Sequence, residues 1–237
     1  MINEIKYVVE IPARLGSQRV KQKNLRLING EPMIAYAIKA CKDVERISEI
    51  YVNTESDLIG QVALDYGVRY YKRKKELASD FIVSDQFNYD FLRNVDCDIL
   101  VMVNPVSPLI EARDIAEAID FFEANELDSM ISVKNERLQS FYKGQPLNFS
   151  IHGMLPMTQS IDPVQICVWT ICIWKKVSFI KAYEEKGYAV FNGKYALWPI
   201  DPLKSIKISY EEDFLLAERL LKAREYFVEH EVRYYGQ

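Results

Sequence analysis

Hydrophobic positions along the chain alternate between short apolar runs that suit a buried strand and three-and-four spacings that suit one face of a helix. Residues 5–11 (IKYVVEI) form a β-branched and aromatic run that breaks at Pro12 into a polar, basic loop reaching about Asn29. Pro32 sits where a helix begins, with Met33, Ile34, Ala37, Ile38 and Cys41 on one face. Residues 50–53 predict a strand, 56–66 a helix ended by Gly67, and 68–71 a third strand. The run ILVMV at 99–103 has no polar member, as expected of a central parallel strand covered on both faces. Pro105 and Pro108 bracket the next loop, residues 112–125 carry Ile115, Ile119 and Phe122 at helical spacing, and 129–133 reads as a strand.

Periodicity is lost from residue 135 to about 162, where Gly144, Pro146, Gly153 and Pro156 punctuate an excursion from the sheet. Strands resume at 166–174 (ICVWTICIW), 196–199 and 206–208, and 211–228 predicts a terminal amphipathic helix. Strands alternating with helices predict an α/β fold in one domain over residues 1–237. Its sheet is doubly wound, mostly parallel and Rossmann-like, with ligands at the carboxyl ends of the strands. No repeat, low-complexity tract or linker divides the chain.

Charge narrows the partners. Thirty Lys and Arg against 34 Asp and Glu give a net charge of −4, so no general attraction to nucleic acid is built in and any basic site is local. The N-terminal segment has acidic residues where a secretory signal needs basic ones, and the apolar stretch at 164–174 is too short to cross a bilayer. These features predict a cytoplasmic protein without membrane or nucleic-acid partners. Cys41, Cys97, Cys167 and Cys172 form no CxxC pair, and His152 and His230 stand alone, so reduced thiols and no zinc site are expected.

The candidate chemistry lies between Pro12 and Arg26, in PARLGSQRVKQKNLR, which gathers Arg14, Arg19, Lys21, Lys23 and Arg26 directly after the first strand. With Gly16 for close backbone approach and Ser17 for hydroxyl donation, such a loop suits a triphosphate. It equally suits a phosphorylated sugar or an acidic protein partner, and composition does not choose among them. It is neither a Walker loop nor a GxGxxG turn, because Gly16 is the only glycine before Gly30.

The segment IPARLGSQRVKQKNLRLINGEPMIAYAI closely resembles the opening of the acylneuraminate and Kdo cytidylyltransferases, which make CMP-sialic acid and related CMP-sugar acids from CTP. The likeness continues through NTESDLIGQVALDYGV, YKRKKELASDFIVSDQF and MVNPVSPLIEARDI. The resemblance implies that Arg14, Ser17, Arg19 and Lys23 bind the CTP phosphates, with Ala13 and Gly16 in the same nucleotide-binding stretch and Lys23 and Arg14 catalytic. It implies that Asn24 contacts the nucleoside, that Arg73, Ile82 and Ser84 surround cytosine, and that Asn104 belongs to the nucleotide-binding set. It also implies a homodimer, with about residues 135–175 as the dimerisation or acceptor segment.

The acceptor half departs from the pattern. Asn104, Val106 and Ile110 stand where the family has glutamine, threonine and arginine, while Ser107 is kept. Val168 and Trp169 replace an asparagine-glycine pair. In SIKISYEEDFLLAERLL, Lys207 and Ser209 occupy the positions of the two aspartates that hold magnesium in the family. Magnesium is then expected to enter with CTP, with Asp213, or nearby Glu211 or Asp201, as its remaining protein ligand. In the other reading Lys207 does electrostatically what magnesium does in the family, and Ser107, Gln159, Gln165 and Lys207 are the acceptor-binding candidates. The expected reaction is transfer of CMP to a small acidic acceptor, sialic-acid-like or another sugar acid, with release of pyrophosphate. A catalytically altered or inactive nucleotide-binding homologue with a regulatory role is the alternative. A glycosyltransferase is disfavoured because its Asp-x-Asp pair would follow a central strand, whereas Asp96 and Asp98 precede one.

Overall fold

The computed structural model describes residues 5–225 and 234–235. The chain runs β1 (Tyr7–Pro12), β2 (Leu27–Ile28), β3 (Glu31–Pro32), α1 (Met33–Lys42), β4 (Ile47–Thr54), α2 (Asp57–Asp65), β5 (Arg69–Lys72), α3 (Ser84–Asn94) and β6 (Ile99–Val103). It continues through α4 (Ala112–Ala124), β7 (Ser129–Glu136), β8 (Phe141–Tyr142), β9 (Gln145–Pro146), β10 (Val164–Lys175), α5 (Lys176–Lys186), β11 (Tyr195–Pro199) and α6 (Glu211–Glu225). A seven-stranded sheet has the order β11-β7-β10-β6-β1-β4-β5. All its pairings are parallel except those of β10, which is antiparallel to both β6 and β7.

Strand alternation divides the core between the two faces. Val9, Ile11, Val101 and Val103 pack with Ile34, Ile38, Ile59, Ile115 and Phe122 from α1, α2 and α4. Val8, Leu100 and Met102 point the other way, to Phe91 and Leu92 of α3 and Phe179 of α5. A third cluster joins Val20 and Met33 to Leu109, Ile208 and Phe214, pinning the start of α6 onto the loop after β1. The chain leaves β1 toward β4 on one side and β6 lies on the other, which opens a crevice at their carboxyl ends where α/β sheets bind ligands.

Two expectations change. Helices α3 and α5 fill segments whose periodicity gave no helix: α3 buries Asn88 beside Phe91 and Leu92, and α5 buries only Phe179 and Ala182. Residues 206–208 are not a strand; Ile208 makes one backbone bond, its N–H donating to the Val106 carbonyl at 2.8 Å, and is held by the third cluster instead. Among the described residues α6 ends at Glu225, and Val228 and His230 lie outside them. The excursion contains the β8–β9 hairpin. No helix among the described residues is long and apolar enough to cross a membrane. Cys41, Cys97 and Cys172 are buried and Cys167 half-buried, all four as free thiols.

Candidate active site

The loop that follows β1 is fixed by its neighbours rather than by regular structure. The Ala13 N–H donates to the Asn53 carbonyl at 3.0 Å, and the Leu15 N–H donates to Glu55 Oε1 at 2.9 Å. The Asn24 side chain ties the loop's ends together, its Nδ2 donating to the Arg14 carbonyl at 3.1 Å. Asn24 is buried, and its Oδ1 has no hydrogen-bond partner among the described residues, which leaves an acceptor inside the site. Gly16 has no close neighbour: a Cβ there would meet nothing within 4 Å, so its Cα faces open space.

A cavity of about 260 Å³ opens between this loop and the loop after β6. Its wall takes Ala13, Arg14, Ser17, Arg19, Lys23 and Asn24 from the first loop, Arg73 and Phe87 from beyond β5, and Asn104, Val106 and Ser209 from the far side. Lys23 Nζ donates to the Ile208 carbonyl at 2.8 Å. Burial, then the charges of Lys207, Arg19 and Arg14, push the Lys23 ammonium down to about 8, only partly offset by Asp213. Neither Lys23, Arg19 nor Lys207 has a carboxylate within ion-pair distance among the described residues, whereas Arg14 pairs with Asp80 at 2.6 Å. Arg19 lies over the Tyr210 ring, 5.1 Å from its centroid. Uncompensated cations around a cavity, one of them already weakened by its neighbours, make a site that gains from an anionic ligand.

The other wall is a buried polar network. Arg73 is 4% exposed; its Nε donates to Asn53 Oδ1 and its NH2 to the Asn53 carbonyl, both at 2.9 Å. Phe87 covers the guanidinium at 4.4 Å from the ring centroid. Beneath them Asn53 Nδ2 donates to Glu10 Oε1 at 2.5 Å. Burial pushes the Glu10 carboxyl up to about 7 against the pull of Arg73 and Asn53.

The sequence profile of the cytidylyltransferases matches residues 8–150, which contain both walls apart from Ser209. The chain belongs to the cytidylyltransferase family. Over 232 residues it is 28% identical to the "Post-translational flagellin modification protein B" of Campylobacter coli, covering 90% of this chain and 94% of that protein. It is 26% identical to "N-acylneuraminate cytidylyltransferase A" of Danio rerio over 92% of this chain and 51% of that protein. It is 32% identical to the "CMP-N,N'-diacetyllegionaminic acid synthase" of Legionella pneumophila, over 52% of this chain and 55% of that one. The chain thus spans about half the length of the last two relatives. Among solved structures, a CMP:2-keto-3-deoxy-manno-octonic acid synthetase complexed with CTP superimposes with a TM-score of 0.69 at 17% identity, covering 92% of this chain and 99% of that one, which is a likeness of fold.

In this cytidylyltransferase the cavity brings together Ala13, Arg14, Ser17, Arg19, Lys23, Asn24, Arg73 and Asn104 of the expected nucleotide set. Gly16, Ile82 and Ser84 are not on its wall; Ile82 turns back on the Ser79 carbonyl and Ser84 opens α3. Ser107 is fully buried with its hydroxyl 3.1 Å from that of Thr170, so it holds the loop rather than facing the cavity. Gln159 is exposed in the excursion and Gln165 is exposed on β10, where its Nε2 donates to Asn135 Oδ1 at 3.2 Å. Lys207 is exposed yet close enough to depress Lys23.

The donors do not fit a divalent cation held by this chain. Asp213 Oδ2 accepts the N–H groups of Ser209 and Tyr210, both at 2.8 Å, capping α6. Glu211 is engaged by both terminal nitrogens of Arg26 at 2.5 Å, and Asp201 Oδ1 accepts the Leu203 N–H at 2.7 Å. No group of three metal-ligating side chains occurs among the described residues. Sequence reasoning missed Gln18, Val20 and Phe87 on the wall and Glu10 beneath it. A carboxylate inside the apolar run YVVEIP was the one signal for Glu10.

Proposed function

We propose that this cytidylyltransferase transfers CMP from CTP to a small acidic acceptor, a sialic-acid-like or other sugar acid, and releases pyrophosphate. The observation that carries this reading is the cavity at the carboxyl end of β1 with Arg19 and Lys23 on its wall and, among the described residues, no carboxylate paired to either. An acceptor oxygen attacks the α-phosphorus in line while the protein positions and compensates charge, without a covalent intermediate. Lys23 follows the charge that develops on the α-phosphate, and Arg14 joins it after leaving Asp80. Lys207, whose charge is felt at Lys23, compensates the charge of the departing pyrophosphate. Asn24 Oδ1 accepts from a nucleoside hydroxyl.

Magnesium arrives as part of the CTP substrate, and no step is assigned to a metal held by the chain. The acceptor is an acid of the kind that the names of the relatives describe, which also makes a regulatory binder without turnover the less favoured reading. The excursion leaves Met154 98% and Leu155 66% exposed, an apolar surface of the kind that pairing of two copies in a homodimer would cover. Such an enzyme works in the cytoplasm, where CTP is made.

Thermal shift with CTP, UTP, ATP and GTP, followed by pyrophosphate release with CTP and N-acetylneuraminate, legionaminate, pseudaminate or Kdo, tests the proposal. Stabilisation by CTP and acid-dependent pyrophosphate release are expected. No stabilisation by any cytidine nucleotide refutes it. Light scattering at twice the chain mass supports the dimer, and the monomer mass refutes it.

A further inference from the structure

Glu10 is unlike the rest of its strand. Residues 7–11 of β1 are all buried, and Glu10 itself is 0% exposed. Its Oε2 has no hydrogen-bond partner among the described residues, while its Oε1 accepts from Asn53 Nδ2 at 2.5 Å. An apolar side chain here would avoid the desolvation that a buried carboxylate suffers, so the acid needs a use.

Asn53 supplies one at its other end. Its Oδ1 and its carbonyl take the Nε and NH2 of Arg73, and Phe87 packs on the guanidinium face. Two of the three guanidinium nitrogens are thereby committed inward, and the NH1 edge remains for the cavity that Arg73 and Phe87 line. A guanidinium carries donors and no acceptor, so a fixed edge satisfies an acceptor on a ligand and opposes a donor. Cytosine presents an unprotonated ring nitrogen where uracil presents a ring N–H.

We infer that Glu10, acting through Asn53, is a positioning residue that fixes Arg73 so that its remaining edge selects cytosine over uracil. This rests on the reading of the cavity as a CTP site. Glu10 reaches no ligand itself. It gives Asn53 Nδ2 its acceptor, and that bond keeps the amide from turning round and presenting its NH2 group to Arg73, donor against donor.

Calorimetry of the wild type, Glu10→Gln and Glu10→Met with CTP, UTP and inorganic tripolyphosphate tests the relay. Gln keeps an acceptor oxygen toward Asn53, and its preference for CTP over UTP is expected within about threefold of wild type. Met keeps the bulk and removes the acceptor, and the preference should shrink about tenfold, the scale of one misdirected buried hydrogen bond. Tripolyphosphate affinity should be unchanged in all three proteins, because the cationic loop is untouched; a merely structural lesion would lower it. If Glu10→Met does not fold, Asn53→Ser cuts the same link at its middle and carries the same expectation. An unchanged preference in the folded Met or Ser variant, an equal loss in Gln, or a wild type that binds CTP and UTP alike overturns the relay. A wild type that binds tripolyphosphate but no nucleotide overturns the CTP reading instead.

Discussion

Raising the pH should weaken CTP binding through Lys23 while leaving the fold no less stable through that group. The Lys23 ammonium sits at about 8 in the empty cavity, against an ordinary 10.5, because it is buried among Lys207, Arg19 and Arg14. At about 1.4 kcal/mol per unit, this depression corresponds to an upper bound of about 3 kcal/mol of unfavourable charge, and solvent access to a half-buried side chain reduces it to about 1–2 kcal/mol. A lowered lysine carries its full penalty below its folded value, and the penalty fades as pH rises from about 8 toward 10.5, so stability does not fall in that window. Binding behaves oppositely. Triphosphate oxygens hold the proton on Lys23, so above pH 8 the empty site must take up a proton to bind. Affinity should then fall about 30-fold between about pH 7 and about pH 9.5, each further unit above the free value contributing about tenfold. The terminal phosphate of CTP loses most of its last proton by about pH 7, so the ligand's own charge changes little across that range. Calorimetry in two buffers of different ionisation heat reads both the affinity and the proton uptake. Lys23→Arg, charged throughout, should show a profile flatter by most of that factor. A flat wild-type profile, or the same slope in Lys23→Arg, refutes the reasoning.

Lys23→Ala should lower turnover by a factor of about 10²–10³, as loss of a charge-stabilising donor does, with an unchanged circular dichroism spectrum; unchanged turnover would discard Lys23 as catalytic. Phe91→Ala, in the buried joint between α3 and the edge-on rings of Tyr51 and Tyr71, should cost about 3–5 kcal/mol by urea denaturation, and a cost below about 1 kcal/mol would contradict the packing. A chelator should leave the melting temperature of the ligand-free protein unchanged, because the carboxylates near the site are engaged as a helix cap, an arginine partner and a turn acceptor.

Where one physical signal dominates, the sequence was sufficient. The run at 99–103 coincides with β6 because five apolar residues in a row fit a strand covered on both faces. The start of α1 at Met33 follows from Pro32, and that of α2 from Ser56, whose hydroxyl accepts the Ile59 N–H. Helix α3 escaped because its buried face includes Asn88, and α5 because only two of its eleven residues are buried. The run at 206–208 misled because its isoleucines pack on α6 and not in the sheet. The basic loop was legible because its cations are contiguous in a net-acidic chain. The Glu10–Asn53–Arg73 link was not, since its members lie 43 and 20 positions apart and meet only when β1 and β4 pair. Gln159 was chosen in a stretch without periodicity and Gln165 just beyond it, at the start of β10, and both lie away from the cavity wall.

The most direct measurement is a crystal structure with CTP bound. The account predicts the phosphate chain within hydrogen-bonding distance of Lys23, Arg19 and a repositioned Arg14, with the base against Arg73. A nucleotide bound elsewhere, or these side chains still turned to Ile208, Tyr210 and Asp80 with the cavity empty, would contradict it.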